Sequence, residues 1–375
     1  MSTIKPIALI CTLACAFFSV SCSKTILRSN PPIPLSITTL NPANGPDSTQ
    51  VTIKGQGFSD TAANNAVFFN GKRGTLVSAS DTALVAVVPT LAGTGNITVV
   101  VDGKTSNGII FTYDTTYRVT KVVDSLSGPF YIAMDNDSSL WLPVYGEGML
   151  NKIAPGGAIS TIATMYATGI VIDAHNNIYV AADSNGNSNI ERVSPSGNTT
   201  LIAVDSGFVF GLAIDMAGNL YAGNINRNTV DKITPQGVVT SIATGLFNVT
   251  GVAVTPDGTV YATNYDVSAY DNSAGVVTKI SPSGAVTTLA HIPYDGYSAI
   301  ALDNNNNLYV TVFNQEFALG AIDEISPAGT ITPLTSANLN FPCGIVRENN
   351  GDFYVVQQVD APGGNIGSVI KMTAH

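Results

Sequence analysis

Charge is scarce in this chain: only 11% of its 375 residues are Asp, Glu, Lys or Arg, and no cluster of Lys and Arg stands anywhere along it. With a formal net charge of −10, a nucleic-acid partner is excluded, because neutralising phosphates takes concentrated positive charge. Histidine is as sparse, with His175, His291 and His375 making three in all. Gly-x-Ser-x-Gly, zinc-type His/Cys spacing and a phosphate-cradling Gly-rich loop are all missing, which removes the enzyme classes built on them. Four cysteines do not make a disulfide framework here: Cys11 and Cys15 lie in an apolar run, Cys22 follows it, and Cys343 alone remains in the body. A lone thiol there is expected to be a small core residue. No segment shows the 3.6-residue period of an amphipathic helix, and the apolar run at 6–20 is too short to span a bilayer comfortably.

That run follows Lys5 and ends in Ser19-Val20-Ser21-Cys22, the layout of a signal-peptide core. Small residues before a cysteine resemble the lipobox of bacterial lipoproteins, with Ser19 where that family usually has Leu. The resemblance implies residues 1–22 as signal peptide with lipidation at Cys22. It places the protein outside the cytoplasm, anchored to a bacterial outer membrane by lipid and touching the membrane in no other way. The alternative is an ordinary secretory signal in which Cys22 is incidental. Residues 23–35, polar and Pro-rich, form a linker.

What the chain does hold is a repeat. The pattern of residues 211–237, GLAIDMAGNLYAGNINRNTVDKITPQG, is laid down six times, starting at Tyr131, Gly169, Gly211, Gly251, Ala299 and Gly344. Ten positions after each start stands an aromatic: Trp141, Tyr179, Tyr221, Tyr261, Tyr309 and Tyr354. Next comes a pair of apolar residues three apart, followed in five copies by Pro-x-Gly. Four short apolar runs separated by turns, repeating about every 40 residues, predict propeller blades. The sixth copy lacks a fourth run, and residues 117–123 are expected to supply it and close the ring. The blocks GLAID, GNLYA and VDKITPxG resemble NHL repeats, which implies a six-bladed β-propeller over 117–375.

Residues 36–113 follow another pattern, strand-like runs bounded by Gly, Pro, Asn and Asp. Pro42-x-x-Gly45, Gly55-x-Gly57-Phe58, Val67-Phe-Phe-Asn-Gly71, Val88-Pro89 and Phe111-Thr-Tyr113 resemble the immunoglobulin-like IPT/TIG domain. That resemblance implies a spacer or interaction module without catalytic residues. The fold class expected is all-β, an immunoglobulin-like sandwich followed by the propeller.

In an antiparallel blade the second-to-third and blade-to-blade connections share one face, and they vary most. The gap from aromatic marker to next apolar marker is short in copies 1–3 (141 to 150, 179 to 190, 221 to 230) and long in copies 4–6 (261 to 277, 309 to 322, 354 to 369). The candidate binding residues therefore lie over blades 4–6: Tyr265, Asp266, Tyr270, Asn272, Tyr294, Asp295, Tyr297, Phe313, Asn314, Gln315 and Gln357. Rings beside amides and carboxylates suit a sugar; the competing expectation is polar turns with aromatics plugging the blade ends. Asp135, Asp173, Asp215 and Asp303 precede tight turns, where capping is expected rather than metal binding. No cofactor or metal is expected. Binding of a glycan or a surface protein leads. The alternative is a metal-assisted lyase or lactonase-type enzyme with His291 as base, and a protein scaffold is a third.

Overall fold

The computed structural model describes residues 33–265, 275–292, 299–314, 319–334, 339–358 and 366–374. Cys22 and the apolar run before it lie outside them. Among the described residues there is no α-helix, in keeping with the missing helical period.

Residues 36–113 form two sheets around one core. One holds Ser36–Asn41, Gln50–Gln56, Ala83–Val87 and Thr75–Ala79; the other is centred on Ile109–Tyr113, Gly95–Val101 and Asn65–Phe69. Period-two alternation sends Val51, Ile53, Ile97 and Val99 inward, all without exposed surface. The Phe69 and Phe111 rings meet between the sheets, centroids 5.6 Å apart and nearly perpendicular.

The remainder is six four-stranded antiparallel sheets. Blade 3 shows the plan, with Val209–Ile214 innermost, then Leu220–Asn224, Thr229–Ile233 and Val239–Thr244. The other innermost strands are Ala133–Met134, Ala167–Ile172, Phe247–Val254, Ile300–Leu302 and Pro342–Arg347. Each touches the next, and Pro342–Arg347 touches Ala133–Met134, so the ring is closed. In blade 6, Tyr117–Leu126 pairs antiparallel with Gly367–Ala374, Tyr117 opposite Ala374, and forms the outermost strand. The two ends of the propeller are thereby held in one sheet, and neither is left as a free edge of an incomplete blade.

Packing between blades explains the residues that recur. A Cβ on Gly211 would stand 2.5 Å from the Thr250 carbonyl oxygen of blade 4, and one on Gly169 2.8 Å from that of Phe210. The glycine that opens the repeat thus lets neighbouring innermost strands approach. Threonine hydroxyls tie neighbouring blades together: Thr168 donates to the Val209 carbonyl at 2.7 Å, and Thr311, on the second strand of blade 5, to that of Cys343 at 3.2 Å. The apolar runs fill the spaces between sheets; Ile190, Leu220, Ala222 and Ile233 pack together between blades 2 and 3. Each large side chain buried in this way contributes about 1.5–3 kcal/mol relative to exposure. Cys343 is one of these core residues, free and buried, and burial pushes its thiol up to about 12.

Candidate functional site

The two ends of the ring differ in what their carboxylates do. At the tight-turn end, Asp215 accepts hydrogen bonds through Oδ1 from the backbone N–H groups of Ala217 (2.9 Å) and Asn219 (2.8 Å). Its Oδ2 accepts from Asn219 Nδ2 (2.8 Å) and from the Tyr221 hydroxyl (3.1 Å). Asp303 repeats the set, down to Tyr309, and Asp135 takes its side-chain bond from Trp141 Nε1 at 2.9 Å. In copies 1, 3 and 5 the fixed offset lets the polar tip of the aromatic reach the acid that caps the preceding turn. Lysines of the third strands lie over the same rings, Lys152 at 4.9 Å from Trp141 and Lys371 at 5.0 Å from Tyr354. Burial alone would raise Asp135, Asp173 and Asp215, but the hydrogen bonds they accept outweigh it and hold all three below the usual carboxylate range. These acids are engaged as turn caps.

On the axis lies a cavity of about 450 Å³, walled by the innermost strands of all six blades where they run into the tight turns. Its lining residues are apolar except Arg347, whose guanidinium stacks over Tyr309 at 4.9 Å. Toward the other end the channel is blocked. Tyr131 of blade 1 reaches across the axis and donates its hydroxyl to the Thr250 carbonyl of blade 4, the blade opposite.

At the loop end the expected residues over blades 4–6 fall into two groups. Asp266, Tyr270, Asn272, Tyr294, Asp295, Tyr297 and Gln315 lie outside the described residues. Tyr265 and Asn314 close the second strands of blades 4 and 5, their backbones opposite Gly275 and Leu319. Phe313 is buried and its ring stacks on Phe341, centroids 3.7 Å apart. Gln357 is buried too, accepting from the Asn340 N–H at 2.8 Å and donating to Ser368 Oγ at 3.3 Å. His291 is exposed on Val286–Ile292, the outermost strand of blade 4. Three strand spacings, about 14 Å, separate it from the innermost strand.

Residues over blades 1–3 gather instead into a cluster that loop length did not reveal. Six rings meet here: Tyr131 contacts Phe210, Phe210 contacts Phe130 and Phe208, both of these contact Tyr145, and Tyr145 contacts Tyr166, all edge-on but the tilted Phe208–Phe210 pair, with centroids 5.2 to 6.3 Å apart. Tyr131 and Phe210 are buried, whereas Tyr166 is 57% exposed. The Tyr145 hydroxyl donates to Asp183 Oδ2 at 2.8 Å. The available signal was the position of Tyr145, Tyr166 and Phe208, all in connections that antiparallel order sends to this face. Deeper between blades 2 and 3, the guanidinium of Arg227 bridges the fully buried Asp205 (3.3 Å) and Asp231 (3.4 Å). Burial, then the neighbouring Asp231, pushes the Asp205 carboxyl up to about 6 against the pull of Arg227.

Fold and faces together define a two-part all-β protein, an immunoglobulin-like domain joined to a six-bladed propeller. Residues 35–117 match the IPT/TIG domain family. Among solved structures, the chain is similar to an auxiliary nutrient binding protein from Bacteroides thetaiotaomicron, at 15% identity and a TM-score of 0.52, covering 92% of this chain and 99% of that one. The chain is also similar to a gluconolactonase from Xanthomonas campestris (13% identity, TM-score 0.56, covering 69% of this chain and 90% of that one). It is likewise similar to an aldose sugar dehydrogenase from Streptomyces coelicolor (15% identity, TM-score 0.57, 70% and 98%). No curated protein matches the chain. Likeness at this identity carries the fold, which binding proteins and enzymes share.

Proposed function

We propose that this is a non-catalytic binding protein of the bacterial cell surface, held by lipid at Cys22, which engages a glycan or a protein through the loop end of its propeller. The observation that carries the reading is the lengthening, in three adjacent repeats, of the gap from aromatic marker to next apolar marker: 261 to 277, 309 to 322 and 354 to 369. Tyr265, Asp266, Tyr270, Asn272, Tyr294, Asp295, Tyr297, Phe313, Asn314, Gln315 and Gln357 are its proposed contacts over blades 4–6. Two further facts favour binding over turnover. The axial channel is plugged at that end by Tyr131, and His291 stands on an outermost strand instead of at the mouth. The likeness to an auxiliary nutrient binding protein extends over both parts of the chain, whereas that to the gluconolactonase covers 69% of it.

The test is affinity electrophoresis of residues 23–375 against a panel of polysaccharides, with product analysis on the same samples. Retardation without products is the expected result, and Tyr265→Ala or Tyr294→Ala should weaken it more than a Ser196→Ala surface control. Release of products that stops on adding a chelator or on His291→Ala would replace this reading with a metal-assisted lyase or lactonase. Equal retardation of both tyrosine variants and the control would remove blades 4–6 as the site.

A further inference from the structure

The geometry points to a sugar-stacking platform on blades 1 and 2, formed by Tyr166, Tyr145 and Asp183, apart from the loops of blades 4–6. The inference rests on the glycan form of the function proposed above. Tyr166 is held before any ligand arrives: a Cβ on Gly148 would lie 3.0–3.3 Å from three of its ring carbons, so one face of the ring rests on that glycine's backbone. The residue is nonetheless 57% exposed. Around it the contacts close on themselves. The Asp183 N–H donates to the Tyr166 carbonyl at 2.7 Å, the Tyr145 hydroxyl donates to Asp183 Oδ2 at 2.8 Å, and the Tyr145 ring meets the Tyr166 ring edge-on at 5.6 Å.

One oxygen of Asp183 is therefore committed to the protein, while Oδ1 has no hydrogen-bond partner among the described residues. Two residues on, Asn185 is exposed at the tip of the same hairpin, with a positive φ of 53°. An exposed ring held from behind, beside a carboxylate with one oxygen uncommitted, matches a pyranose. The sugar's C–H face covers the ring, its equatorial hydroxyls find an acceptor in Asp183, and the exposed Asn185 two residues on is the next side chain offered to them. Because the ring, Tyr145 and Asp183 are already immobilised, little conformational entropy is lost on binding.

Isothermal titration calorimetry of residues 23–375 with hexasaccharides of β-glucan, α-glucan, mannan and galactan tests this. Tyr166→Ala should weaken binding of the best hexasaccharide about tenfold or more, Tyr166→Phe less than twofold, and Asp183→Asn or Asn185→Ala several-fold, with thermal midpoints unchanged. Binding that survives Tyr166→Ala, Asp183→Asn and Asn185→Ala within twofold overturns the platform. If Tyr265→Ala or Tyr294→Ala then abolishes it, the function proposed above stands without this site. Wild-type protein that binds none of the hexasaccharides overturns the platform and the glycan reading together.

Discussion

Asp215 and Asp205 carry the same side chain into opposite electrostatic situations. Asp215 accepts four hydrogen bonds at a turn and its carboxyl is held below the usual range. Its contribution is present above the unfolded-state value of about 4 and is lost as pH falls through the folded one. Asp215→Ala should lower stability at pH 7 by about 1–3 kcal/mol, measured by urea unfolding, and by clearly less at pH 3. Asp205 is the reverse, since its folded value is raised to about 6. The native state holds that proton more tightly than the unfolded chain does. The stabilisation is complete below about pH 4 and disappears as pH rises through about 6. Asp205→Asn, which resembles the protonated form, should flatten the urea midpoint between pH 4 and 6 and gain about 1–2 kcal/mol over wild type at pH 7. A wild-type midpoint that does not fall over that interval would refute it.

At the scale of the strand, side-chain periodicity was legible because burial on both faces of a blade demands it. The candidate site was legible only in part. Loop length directed attention to blades 4–6, yet Phe313 of blade 5 is buried against Phe341 at the entry to blade 6, and Gln357 bonds Asn340 and Ser368. Tyr145, Tyr166 and Phe208 sit in short connections, so their assembly depended on the approach of three blades. The innermost strands make that approach possible through their glycines. Gly211→Ala would drive a methyl to 2.5 Å from the Thr250 carbonyl and should cost about 2 kcal/mol or more. Gly284→Ala, with a φ of 85° but nothing within 4 Å, should cost only about 1 kcal/mol of backbone strain. Thermal melting of the two variants side by side checks the ranking.

For the whole molecule, the pairing of Tyr117–Leu126 with Gly367–Ala374 is the join on which the ring depends. Truncation after residue 366 removes the buried Val369, Ile370 and Met372 and leaves Tyr117–Leu126 without its partner and Phe353–Gln357 with a bare edge. The truncated chain is expected to elute as aggregates in size-exclusion chromatography and to lose its cooperative melt. A monomeric, cooperatively melting product would show that the ring survives without its join.

The sequence alone determined the all-β class, the six-fold repetition and the capping role of the acids after the first strands. Each of these rests on residues a few positions apart, where turn chemistry and strand period act locally. Only tertiary structure decided that Tyr131 closes the axis against the opposite blade, that Asp205 is buried beside Asp231, and that Tyr145, Asp183 and Tyr166 come together. Those contacts join blades 40 or more residues apart in the chain, or connections whose neighbours are set by how the sheets pack. Spacing along one repeat carries no record of them, because they depend on the tilt and proximity of sheets that exist only once the ring has closed.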